Sequence, residues 1–118
     1  MPLIPKGPKP PALPTAEWFY DELNLELQVW LTFPEPMDTT VSVLASDFRV
    51  SDARFISGLM QEAAWDTGNK LWLSTLNDRE VTEPLKIEYL AATKCLKTAT
   101  GYEYPSFEVT AVELPEIP

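Results

Sequence analysis

The sequence contains no histidine and a single cysteine, Cys95. Without imidazole the commonest general base is missing, so nucleophile triads that depend on it have no proton acceptor. One thiol excludes an internal disulfide, and zinc centres built from thiolate and imidazole lack their ligands. Cys95 therefore reads as a small buried hydrophobe rather than a nucleophile. Basic residues are scarce and scattered, nine against eighteen acidic, for a formal charge of −9. No cluster is available to neutralise a phosphate backbone, which excludes nucleic acid as the expected partner, and the same field repels anionic membranes. No run of about 18 apolar residues exists to cross a bilayer. The opening MPLIPKGPKPPALP has no continuous apolar stretch of the kind a secretory signal needs.

What is present is alternation. In Leu23 to Phe33 the residues Leu23, Leu25, Leu27, Val29, Leu31 and Phe33 are apolar at every second position. A 3.6-residue period would scatter them around a helix, whereas in a strand they share one face, so this stretch predicts a long β-strand lining a core. Glu17 to Glu22 reads as a first strand, with Asp21-Glu22 in the turn. Pro34 and Pro36 stop the ladder after Phe33. Further on, Asp47 to Val50 is a brief strand, and Arg54 to Trp65 is either one or two strands interrupted at Gly58 or a segment holding a helical turn, with Gly58 and the short length favouring strands. Asp66-Thr67-Gly68-Asn69 is a tight turn with Gly68 suited to positive φ, leading into the strand Lys70 to Leu76. Asn77 to Pro84 is a loop, Leu85 to Tyr89 alternates again, Lys94 to Tyr104 is a loop with few large apolar residues, and Phe107 to Val112 closes the set. Seven to eight short strands without a long helix predict an all-β, antiparallel β-sandwich.

The amino-terminal residues stand apart. Pro2, Pro5, Pro8, Pro10, Pro11 and Pro14 favour polyproline II geometry, and Lys6 and Lys9 are the only charges before Glu17. The expected organisation is a proline-rich extended arm over 1–15, a sandwich over 16–114 and a short tail over 115–118. The arm reads either as a disordered or semi-rigid leader or as a segment that docks on a neighbouring subunit, its lysines meeting an acidic body.

Carboxylates are plentiful, but Glu35 with Asp38 and Asp47 with Asp52 fall at turns, where acidic side chains bond nearby amides. No catalytic residue, metal ligand or cofactor is expected.

The succession Leu31-Thr32-Phe33-Pro34-Glu35-Pro36-Met37-Asp38, Asp47-Phe48-Arg49-Val50, Trp65 to Leu73, Ile87-Glu88-Tyr89 and Leu96 to Gly101 resembles bacterial immunoglobulin-like domains of the S-layer and adhesin repeat type. The resemblance covers about residues 17–113. It implies an immunoglobulin-like sandwich in which the strand after the Asp66 to Asn69 turn lies beside the one ending at Phe33. Such domains usually occur as tandem repeats in secreted chains, and they tend to carry an aspartate before the glycine where this chain reads Thr98-Ala99-Thr100-Gly101. A free-standing domain without an export signal is similar to a virion component of a bacteriophage. If the two strands are neighbours, Trp30 and Trp72, both in the polar phase, either pair on the outer face and expose an aromatic patch, or one of them is covered by the proline-rich leader or a loop. Trp18 and Trp65 are assigned to core or edge packing. The resemblance thus implies a non-enzymatic structural or decoration protein of capsid or tail. Its expected contacts are Pro2, Pro5, Lys6, Pro8, Lys9, Pro10, Pro11, Trp30 and Trp72, and its expected partners are other virion proteins and copies of itself. The alternative is a carbohydrate-binding or adhesion module for cell-surface glycan on the bacterial surface.

Overall fold

The computed structural model describes residues 12–54 and 56–115. The dominant alternation forms β2 (Glu26–Thr32), with Leu27, Val29, Leu31 and the following Phe33 buried. Leu23 and Leu25 keep the same period but do not join the strand. β1 (Thr15–Asp21) lies antiparallel to β2 with Asp21 opposite Glu26, which makes residues 22–25 the hairpin loop. The Asp21 carboxylate fixes that loop, accepting from the backbone amides of Leu23 at 3.0 Å and Asn24 at 3.3 Å and from the Asn24 side chain at 2.7 Å. These bonds satisfy amides that an unpaired strand extension would leave open. Consequently the strand starts at Glu26 rather than Leu23, Leu23 is 95% exposed, and Leu25 sits in left-handed backbone at φ 51°.

A 3-10 turn, Ala45–Asp47, precedes β3 (Phe48–Ser51), and β4 (Ser57–Leu59), β5 (Glu62–Thr67), β6 (Lys70–Leu76), β7 (Leu85–Tyr89) and β8 (Phe107–Glu113) follow. The 57–67 stretch is extended, but its break falls at Met60-Gln61 and Gly58 lies within β4. The Met60 and Gln61 amides reach the Phe48 and Ser74 carbonyls at 2.9 and 2.8 Å, so each pins the link to a different strand. The β5–β6 turn forms without positive φ at Gly68; among the described residues the glycine that takes it is Gly101, at 98° in the 94–104 loop.

Among the described residues the strands form one curled sheet in the order β4-β3-β7-β8-β1-β2-β6-β5. Its pairs are antiparallel except β1 with β8, which are parallel over Ala16 to Trp18 and Ala111 to Glu113. The sheet is therefore mixed where a wholly antiparallel one was expected. The cause is the place of β1: it lies between its hairpin partner and the closing strand, and β8 meets it running the same way while using its other edge on β7. β4 and β5 stand at the two ends of the order yet are joined through Met60-Gln61 alone. A link of that length reaches only about 10 Å, so the sheet must curl until its ends approach. One face then encloses the core, where Trp18, Val29, Leu71 and Leu73 meet Phe48, Val50, Leu85 and Ile87. The 94–104 loop contributes more than its sequence suggested, since Cys95, Leu96 and Tyr104 are all buried in that core.

Candidate functional site

Alternation leaves Glu17 and Phe19 of β1, Gln28 and Trp30 of β2, Trp72 and Ser74 of β6, and Glu62 and Ala64 of β5 on the face turned away from the core. The β2–β6 register sets Trp30 directly opposite Trp72. Trp72 is half-buried, and its indole N–H donates to Gln28 Oε1 at 3.0 Å. Gln28 pairs with Ser74, so this bond draws the Trp72 ring diagonally along the sheet. Trp30, flanked by Glu17 and Trp72, is 5% exposed although it lies outside the core cluster. Of the two readings, a pair of open indoles or one covered and one open, the burial matches the second: Trp30 is covered and Trp72 is accessible. Gln28, which orients the accessible ring, was not singled out in the sequence; a glutamine at an outward position of a central strand carries no signal by itself.

Of the other expected contact residues, Pro2, Pro5, Lys6, Pro8, Lys9, Pro10 and Pro11 lie outside the described residues. The described chain begins at Ala12, whose carbonyl accepts from the Tyr104 hydroxyl at 3.0 Å, and Pro14 is buried. Burial, reinforced by Glu35, pushes the Tyr104 phenol up to about 12, so it keeps its proton and remains a donor at neutral pH. The base of the arm is therefore fastened to the core by a loop tyrosine that no periodicity marked.

The turn carboxylates serve local backbone. Asp38 accepts from the Thr40 hydroxyl at 2.5 Å and amide at 3.0 Å, and these bonds hold its carboxyl below the usual range. Asp52 accepts from the amides of Arg54, Ile56 and Thr82 at 2.9, 2.8 and 2.8 Å, tying the β3–β4 turn to the 77–84 loop. Asp47 is buried and accepts from the Thr93 amide at 3.0 Å, the Thr93 hydroxyl and the Cys95 thiol at 3.6 Å. Glu35 flanks a shallow concavity with Pro34, Pro36, Gly68 and Asn69. Trp65 packs on Phe33 with ring centroids 6.0 Å apart, and Trp18 belongs to the core.

No protein-family model matches the chain, and no curated protein matches it. Sheet and surface define a class only: an all-β domain with an aromatic row on one outer face.

Proposed function

We propose that this protein is a non-enzymatic structural or decoration protein of a bacteriophage particle, an immunoglobulin-like sandwich that attaches to a protein lattice through its amino-terminal arm or its outer aromatic face. Support for the sandwich comes from the strand order, which divides into β4-β3-β7-β8 and β1-β2-β6-β5, with β1 joining the halves by a parallel pair to β8. Support for contact work comes chiefly from Trp72, with Trp30 directly opposite it and Phe19 on the neighbouring rung, all in the outward phase, where polar side chains are the rule for a solvated sheet face. The location that goes with this reading is the virion. Purified particles probed with antibody against this chain test it: labelled particles support the reading, and particles devoid of the protein overturn it.

A second reading is favoured by one detail, the Trp72 indole beside the Gln28 amide. An aromatic platform flanked by an amide suits a sugar ring, with the apolar face stacking and hydroxyls bonding at the edge. Tryptophan quenching on titration with surface polysaccharide, lost in Trp72→Ala, supports a glycan-binding module, and an unchanged spectrum dismisses it.

A further inference from the structure

Pairing of β1 with β8 stops where Trp18 meets Glu113, so beyond that point β1 faces the 77–84 loop across a groove. Trp18, Tyr20 and Glu22 line it from β1 and the residue after it, Glu80 and Val81 from the loop, and Glu113 from the end of β8. Among the described residues that line it are three carboxylates, Glu22, Glu80 and Glu113, and no cation. Their field reaches Tyr20, whose phenol is pushed up by burial first and then by Asp78, Glu22, Glu80 and Asp21. Trp18 is 4% exposed, and its buried indole N–H has no hydrogen-bond partner among the described residues. A buried N–H of this kind gains a bond only from a ligand carbonyl that seats deeply enough to uncover it. The Tyr20 hydroxyl donates to the Asn77 carbonyl at 2.6 Å, and past that bond Leu25 and Leu76 flank a second concavity, Leu76 being 66% exposed. Cations, unpaired carbonyls and apolar side chains on an extended backbone match this surface.

The amino-terminal segment of the chain has that chemistry. Pro2, Pro5, Pro8, Pro11 and Pro14 recur at every third residue, the repeat of a polyproline II helix, whose carbonyls have no internal partners. Leu3, Lys6 and Lys9 recur with the same three-residue spacing, and no acidic residue precedes Glu17. One turn of such a helix would set the two lysines about 9 Å apart. We propose that the groove between β1 and the 77–84 loop receives segment 1–11 of a second copy, with Lys6 and Lys9 meeting Glu22, Glu80 and Glu113 and a backbone carbonyl accepting from the Trp18 indole.

A second copy is the occupant because of where the segment leaves its own domain. The chain runs from Ala12 to Asp21 without a turn, and Tyr104 holds the Ala12 carbonyl beside Phe33 and Phe107. Phe33 follows the end of β2 that pairs with Thr15, whereas the groove flanks the opposite end of β1. The contact is heterologous and head-to-tail, which builds rings or open chains. This inference rests on the arm being an intermolecular contact and names its receptor.

Sedimentation velocity of the full chain at low and high salt tests it. The protein is expected to associate with rising concentration and to come apart as salt screens the charge pairs. Lys6→Glu with Lys9→Glu, and separately Glu80→Lys with Glu113→Lys, should each weaken association about tenfold or more, and a chain carrying all four changes should recover it. Urea midpoints equal to that of the parent show that the exposed substitutions leave the fold intact. A parent chain that stays monomeric, or groove variants that associate as the parent does, overturns the proposal. Loss of particle binding in the lysine variants but not in the groove variants also overturns it while leaving the decoration reading in place. Charge-rescued self-association of a protein absent from particles upholds it and removes that reading instead.

Discussion

Asp47 is 3% exposed, and it commits one carboxylate oxygen to the amide and hydroxyl of Thr93 and to the Cys95 thiol. Its own carbonyl accepts from the Leu90 amide at 2.8 Å, so a single residue moors the 90–95 stretch at both ends. Asp47→Ala removes the acceptor and leaves the Thr93 amide and the thiol without it, a loss of about 2–3 kcal/mol. Asp47→Asn keeps one acceptor oxygen and should lose about half as much. Urea unfolding checks this, with the midpoint falling at unchanged slope; an Asp47→Ala midpoint equal to the parent's would show that the mooring is idle. Leu25 is the opposite case, a side chain 45% exposed on backbone at φ 51°. A branched hydrophobe there carries the left-handed penalty without a packing return, so Leu25→Asn or Leu25→Gly should raise stability by about 0.5–1 kcal/mol. The measurement belongs at concentrations where the chain is monomeric, since Leu25 also borders the proposed contact surface.

At the scale of elements, legibility followed periodicity. Lys70 to Leu76 and Leu85 to Tyr89 are strands over the residues that their composition and alternation indicated. The Leu23 to Phe33 run gave the right face and the wrong start, because hydrophobic period cannot see that Asp21 closes an Asx turn two residues earlier. Trp30 shows a related limit: alternation says which face a side chain takes, and only the neighbouring strands decide whether that face is open. In the 94–104 loop there was no period to read, and the burial of Leu96 and Tyr104 follows from loop geometry, including Gly101 at φ 98° and the bridge between Met37 and Thr98. The outer row gives a test at this scale. Trp30→Ala strips a covered indole and should cost about 3 kcal/mol, whereas Trp72→Ala should cost about 1 kcal/mol, being half-buried and anchored by one bond to Gln28. Equal losses would mean that the two rings are equally covered.

For the molecule as a whole, the curled sheet is joined across its interior by a succession of rings. Phe48 packs on Tyr89 at 5.2 Å, Tyr89 on Phe107 at 5.4 Å, Phe107 on Tyr104 at 5.8 Å, Tyr104 on Phe33 at 5.3 Å and Phe33 on Trp65 at 6.0 Å. The path begins on β3, next to one end of the strand order, passes through β7, β8, the 94–104 loop and Phe33 after β2, and finishes on β5 at the other end. Burial pushes the Tyr89 and Tyr104 phenols up to about 12, with the Leu96 amide pulling Tyr89 the other way and Glu35 adding to Tyr104. Below the ordinary value of 10.0 both phenols are protonated folded and unfolded, and their contribution to stability is complete. Between there and about 12 the unfolded phenols ionise while the folded ones hold their protons, so the native state binds more protons and stability falls as pH rises. Each phenol accounts for about 2–3 kcal/mol of that fall. With no histidine in the chain, the midpoint should hold nearly level from about pH 6 to 8. Urea midpoints should then drop through the alkaline window, and Tyr89→Phe with Tyr104→Phe should flatten the drop because the rings remain while the titrating oxygens are gone. The same fall in the double variant would assign alkaline unfolding to other groups and leave the aromatic path a matter of packing alone.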